Sequence, residues 1–277
     1  VGVQPSEFLK LGLIVALSLQ LSQLTGYKED DDPIWRRVWF FSAVSVGMVA
    51  VLSKDMGSGI IMVVLLMGLY LIAGLKMSQF WTIIIAGLAA AVFLVTSSPS
   101  RRVRFDAWLN PEAADPMGVN WQFEKGTWAL ASGGIFGTGL GRSKLKWSWI
   151  PEVENDFIFA VIAEELGLIG AVVVIVLFVA LAMTFFKIWK RTADDFNRYV
   201  VSGIMIWIIF QALINMAVVL RLLPVLGVPL PLISAGGSSL IATLGGIGIV
   251  LAVERENHAN PLAGRQARMP QSSRRAR

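Results

Sequence analysis

Apolar runs with few or no charges recur along this chain, at residues 8–24, 38–52, 56–75, 80–96, 157–186, 199–222 and 232–253. A helix needs roughly 17–25 such residues to cross a hydrocarbon core of about 30 Å. A soluble fold of this length interrupts its apolar runs with polar faces, and these runs are hardly interrupted. Hydrophobic residues make up 55% of the 277 and charged ones 16%, against about 25% charged in a typical soluble domain. The expectation is an all-α, polytopic integral membrane bundle. It has about seven transmembrane helices in this chain, with one large loop, 97–156, outside the membrane.

Orientation follows from the short connections. Lys28, Arg36, Arg37, Lys76, Lys187, Lys190, Arg191, Arg198 and Arg255 fall on one side if the helices alternate, and excess Lys and Arg in short loops marks the cytoplasm. Segment 97–156 then faces outward. It carries Arg101, Arg102, Arg104, Arg142, Lys144 and Lys146, but a loop so long escapes the charge rule. Residues 1–253 read as a single transmembrane domain. Residues 254–277, poor in apolar and rich in Arg, Ser, Pro and Gln, read as a disordered cytoplasmic tail, better taken as a solvated basic anchor than as a binding motif. The chain opens at Val1 with a helix almost at once, which suggests that the N-terminal part of a longer protein is missing. There is no cysteine, and the single histidine, His258, lies near the end. Disulfides, thiolate metal sites and Ser-His-Asp chemistry are therefore excluded within this chain.

Several segments carry polar groups that need a reason. In QPSEFLK, residues 4–10, Pro5 and Glu7 suit a first helical turn. Lys10 lies deeper, on the same face as Glu7, and a lysine in the membrane must pair, face a cavity or snorkel. The expectation is a Glu7–Lys10 ion pair lining an interior cavity. Lys54-Asp55-Met56-Gly57-Ser58 divides two apolar runs and reads as a tight outer turn, with Asp55 able to cap the next helix. The loop 97–156 contains Arg101 and Arg104, then Trp108, Asn110 and Pro111, then Gln122, then the glycine-dense SGGIFGTGLGRSK at 132–144. Glycines at that density let backbone N–H groups approach an anion, with Arg and Lys adding charge. They serve equally as turns in a surface loop, and no Walker pattern is present. Asp156 stands where the polar segment meets the apolar run 157–186. It is either an N-cap for that helix or a general base at the membrane surface. Glu164 and Glu165 come too early in the run to face lipid, so the start of that helix must face protein or water. Pro224, Pro229 and Pro231 break the chain between the last two runs into a re-entrant or outer loop, and Gly236, Gly237, Ser238 and Ser239 suit close helix packing.

Taken together these segments resemble the SEDS family (shape, elongation, division and sporulation), whose members polymerise peptidoglycan glycan strands. The resemblance rests on QPSEFLK, KDMGS, the Arg-x-x-Arg…Asn-Pro stretch, SGGIFGTGLG, IPEVENDFIFAVIAEELG and LPVLGVPLPLISAGGSSL. It runs in family order from residue 4 to about 253, and the last two motifs are the most specific. Family members have about ten membrane helices, so the resemblance implies that three precede this chain. The details are most similar to the cell-division branch, with the elongation branch close behind. The resemblance implies polymerisation of lipid II at the outer face of the bacterial cytoplasmic membrane, at the division septum. It makes Asp156 the essential carboxylate and places Glu7 and Lys10 on the family's glutamate and lysine; Arg101, Arg104, Gln122 and Lys144 join them as substrate-binding candidates by inference from the residues themselves. Arg101, Arg104 and Lys144 would stabilise a departing undecaprenyl pyrophosphate. No organic cofactor is implied, and a divalent cation is compatible with the chemistry. The implied partners are a class B penicillin-binding protein that crosslinks the strands and other divisome proteins. The rival readings are a lipid II flippase and a non-catalytic scaffold. Three departures from the family pattern stand out: Glu154-Asn155 where the family has His-Thr, Lys54 in place of a proline, and Ala163 in place of a glycine.

Overall fold

The computed structural model describes residues 4–24, 39–40, 43–44, 47, 56–74, 77–110, 119–144 and 153–259. Most of the expected span 38–52, together with Lys54, Asp55, Pro111 and the residues from 260 onward, lies outside them. The helices in chain order are α1 (Pro5–Leu24), α2 (Met56–Ile72), α3 (Met77–Thr96), α4 (Pro99–Leu109), α5 (Val119–Gly133), α6 (Val153–Asp156), α7 (Ile158–Arg191), α8 (Asp195–Val219) and α9 (Gly237–Ala259). No strand occurs among the described residues. Among them α7, α8 and α9 are long and apolar enough to cross a membrane, and the apolar stretch Gly57–Ile72 is shorter. The protein is an all-helical membrane bundle.

The boundaries differ from the expected spans where local chemistry decides. The segment 97–156, read from sequence as a loop, contains α4, α5 and α6. Pro99 starts α4 in the first-turn position where a missing N–H costs nothing. The last run forms helix only from Gly237, because Pro229 and Pro231 withhold N–H donors and Leu232 takes a left-handed φ of 67°. At its other end α9 continues past residue 253 to Ala259. Helix α8 begins with a working cap, the Asp194 carboxylate accepting from the Asn197 N–H at 2.9 Å.

Helix α8 is the axis of the bundle. Of its most apolar window 72% is buried, against 28% for α7 and 39% for α9, so α7 and α9 present more of their surface to lipid. Small residues let neighbours approach α8 closely: Gly203 faces Ile14 of α1, Gly68 of α2 faces Ile206, and Gly246 of α9 faces Ile204 and Trp207. The polar residues that α8 buries, Ser202, Gln211 and Asn215, therefore lie inside protein.

Helix α7 contains a break that a neighbouring segment fills. Gly167 has φ 69° and ψ −166° within the helix, which leaves backbone groups on both sides without helical partners. Segment 134–139 supplies them. Thr138 N–H donates to the Glu164 carbonyl at 2.9 Å and Gly139 N–H to the Glu165 carbonyl at 3.1 Å. In return Leu168 and Ile169 N–H donate to the carbonyls of Gly134 and Ile135 at 2.9 and 3.3 Å. The glycines are there for this approach: a Cβ on Gly133 would collide with the Ala163 carbonyl, and one on Gly137 with that of Glu165. Gly137 also has φ 80°. Gly137→Ala is therefore expected to destabilise the protein by about 3 kcal/mol or more, read as a fall of roughly 5–10 °C in the melting temperature of the purified protein. An unchanged melting temperature would show that this segment is not docked on α7.

Candidate active site

The short helix α6 ends at Asp156, and α7 starts afresh one residue later. The N-cap of α7 is Phe157, which makes no side-chain cap bond, and its carbonyl accepts the Ala160 and Val161 N–H groups. Asp156 therefore stands one residue before the N-cap of the long helix, not at it. Its side chain is half-buried. Phe157 is buried to 1% exposure and packs at 3.2 Å from where a Cβ on Gly126 of α5 would stand.

The wall opposite Asp156 is the proline-rich segment 220–236. Gly227 there has φ 69°, and a Cβ on it would lie 3.7 Å from Asp156 Oδ2. A glycine at this point meets the left-handed backbone and lets the loop's main chain pass close beside the carboxylate. Asn215 of α8 donates through Nδ2 to the Asp156 carbonyl at 2.8 Å and to the Val228 carbonyl at 2.7 Å. Ser234 Oγ donates to the Asn155 carbonyl at 2.6 Å while accepting the Leu230 N–H at 2.7 Å. One turn before Asn215, Gln211 Nε2 donates to the Pro229 carbonyl at 3.1 Å.

Behind this wall lies a buried charge pair. Lys10 Nζ stands 2.8 Å from Glu7 Oε1, with the side chains 0% and 1% exposed. It also donates to Gln211 Oε1 at 2.8 Å and sits 5.4 Å from the Trp207 ring. Trp207 Nε1 shares the same Gln211 oxygen at 2.8 Å. The expected ion pair forms, and Lys10 reaches into the bundle rather than snorkelling. The pair is walled in by protein: Lys10 braces Gln211, and Gln211 braces the loop.

The cationic candidates lie on other elements. Arg101 and Arg104 share a face of α4, half-buried and exposed respectively. Trp108, near the end of that helix, donates through Nε1 to the Arg221 carbonyl at 3.1 Å, which ties α4 to the start of the loop that carries Gly227. Gln122 is half-buried one turn before Gly126, on the α5 face that meets Phe157. Lys144 has an exposed side chain, and its N–H donates to Glu164 Oε1 at 3.0 Å. Glu164 Oε2 accepts the Ser143 hydroxyl at 2.6 Å, and Glu165 Oε1 the Ser143 N–H at 3.3 Å. The paired glutamates thus face protein and clamp the end of the glycine segment. The reading of 132–144 as an anion cradle is corrected accordingly: the N–H groups of residues 137, 138, 139, 142, 143 and 144 are taken by protein acceptors. Among the described residues no three His, Asp or Glu side chains gather closely enough to hold a metal ion.

Gln211, Asn215, Ser234 and Ser143 were not singled out from sequence. The signal for the first two was present, since two amides four residues apart in an apolar membrane helix must face a polar partner inside the bundle.

A half-buried carboxylate on a turn between helices, faced by a braced loop, places the molecule among polytopic membrane proteins built around an acidic site. Residues 1–259 match the model of the cell cycle protein family that comprises FtsW, RodA and SpoVE, and the chain belongs to that family. Stage V sporulation protein E of Bacillus subtilis is 37% identical over 258 residues, covering 92% of this chain and 69% of its own length. The probable peptidoglycan glycosyltransferase FtsW of Mycobacterium tuberculosis is 41% identical over 258 residues. That match covers 92% of this chain, and the chain spans 48% of the mycobacterial protein. Among solved structures, a chain from a peptidoglycan synthase complex that coordinates polymerisation and crosslinking superposes with TM-score 0.69 at 28% identity, over 93% of this chain and 71% of that one. The rod shape determining protein RodA of Thermus thermophilus gives TM-score 0.63 at 26% identity, over 93% and 67%.

Proposed function

We propose that this protein is a peptidoglycan glycosyltransferase that polymerises lipid II at the outer face of the bacterial cytoplasmic membrane during cell division. The observation that carries this reading is Asp156, half-buried on a turn whose carbonyls are held by Asn215 and Ser234, with Gly227 of the facing loop beside its carboxylate. A carboxylate so placed accepts the proton of the sugar 4-hydroxyl of one lipid II. The hydroxyl oxygen forms the new bond to the anomeric carbon of the other chain. The bond from that carbon to undecaprenyl pyrophosphate breaks with inversion, and the pyrophosphate leaves with the electron pair. Arg101, Arg104 and Lys144 stabilise its charge, and Gln122 contacts the sugars. The names of the relatives and the synthase complex support the reading, and the same complex supports a class B penicillin-binding protein as partner alongside divisome proteins. The C-terminus is cytoplasmic and the protein works at the septum.

The test is reconstitution of the purified, full-length protein with lipid II and its partner, reading glycan strands by length. Polymer formation supports the enzyme. Transbilayer movement of lipid II without polymer would replace it with a flippase. Arg101→Ala and Arg104→Ala are each expected to lower the polymerisation rate by about 10- to 100-fold, with the melting temperature held because Arg104 is exposed and Arg101 is only half-buried. Wild-type rates in both variants would remove the arginines from the leaving-group site.

A further inference from the structure

We propose that Asn215 and Ser234 are positioning residues for Asp156, setting where its carboxylate stands through the peptide carbonyls of the α6 turn; this rests on Asp156 being the base. Helix α6 is four residues long, too short to sustain itself or to satisfy its last carbonyls. Two donors from two other elements take them: Ser234 holds the Asn155 carbonyl from the proline-rich loop, and Asn215 holds the Asp156 carbonyl from α8. Both side chains are buried, at 8% and 1% exposure. The Asn215 amide orientation is forced, because two carbonyl oxygens can only be met by its NH₂.

The arrangement does more than satisfy carbonyls. The second N–H of the same amide goes to Val228, the neighbour of Gly227, which stands beside the Asp156 carboxylate. One planar group therefore fixes both the turn that carries the base and the wall that faces it. Gln211 holds the next carbonyl, Pro229, from one helical turn away, so the wall cannot slide along α8. Ser234 adds a second tie at the other end of the loop. The gap between base and wall is thus set by two side chains that act on it through main-chain groups.

The experiment uses the full-length protein with its partner and lipid II, comparing Asn215→Ala, Ser234→Ala, Ser234→Thr and Asp156→Asn. Asn215→Ala and Ser234→Ala are expected to lower kcat about 10- to 100-fold, the penalty typical of a misplacement near 1 Å, with KM for lipid II within about twofold. The midpoint of the acid limb of the pH–rate profile moves with them, because the environment of the base has changed. Loss of folded protein would scale that profile without moving it. Ser234→Thr keeps the hydroxyl and is expected to restore most of the rate, whereas a packing role would be worsened by the extra methyl. If Asn215→Ala does not fold, the serine pair decides alone. Wild-type kcat in folded alanine variants, or a lowered kcat with an unmoved midpoint, overturns the positioning role and leaves Asp156 standing. Activity retained in Asp156→Asn overturns the base itself, and the positioning role with it.

Discussion

Replacing Asp156 by asparagine is expected to lower glycan polymerisation by about 10²–10⁴-fold in kcat, the usual contribution of a positioned general base. The melting temperature should move far less than the rate, since asparagine keeps the size and shape of the half-buried side chain. The structural bonds to this residue that hold the turn run through its main-chain carbonyl, to Asn215, and through its neighbour's, to Ser234. Neither depends on the side chain. Asparagine keeps the shape of aspartate but cannot take a proton from a sugar hydroxyl, so the substitution separates chemistry from fold. Asp156→Glu is the finer probe. It keeps the charge but pushes the carboxylate outward beside Gly227, where a Cβ would already stand 3.7 Å from Oδ2. A partial loss, about 10- to 100-fold, is expected from that displacement. Glycan ladders of wild-type length from the asparagine variant would remove Asp156 from the reaction and favour a scaffold or transporter.

What the sequence disclosed and what it hid divide along a physical line. Long apolar runs announce membrane helices because hydrocarbon tolerates nothing else, and a lysine three residues from a glutamate announces a pair because an unpaired charge is too costly there. Asp156 was visible as an acid at a composition boundary. Its place one residue before the N-cap was not, since that depends on a one-residue offset between α6 and α7. The glycines at 133 and 137 were visible as glycines, but their purpose lies in the carbonyls of Ala163 and Glu165. Those contacts span about 30 residues of chain and follow from a break at Gly167 that nothing in the local pattern marks. Phosphate binding was the nearer reading of such a stretch, and the structure spends most of its N–H groups elsewhere. Asn215 escaped notice for a related reason: its partners, Asp156 and Val228, are main-chain carbonyls, and a carbonyl is the same at every position in a sequence.

Lys10→Met is expected to be the most destabilising single change in the bundle, at about 3–5 kcal/mol. It strands the Glu7 carboxylate at 1% exposure, and Glu7 Oε2 already has no hydrogen-bond partner. Glu7→Gln should cost less, because a neutral amide can still accept from Lys10. The decisive variant is Glu7→Gln with Lys10→Met, which removes both charges. Because replacing a whole buried pair is often near neutral, the double variant should melt well above Lys10→Met alone, with a coupling of about 1–3 kcal/mol between the two sites. Simple additivity of the two losses would show that the pair is not a closed electrostatic unit. The consequence reaches the acid site along named bonds. Lys10 and Trp207 both hold Gln211 Oε1, and Gln211 Nε2 holds the Pro229 carbonyl beside the wall of the carboxylate. In the double variant Trp207 still holds Gln211, so polymerisation should survive at a reduced rate even where Lys10→Met alone has lost its fold. A double variant that is stable yet wholly inactive would instead place Glu7 or Lys10 in the chemistry, against the burial that sets them behind it.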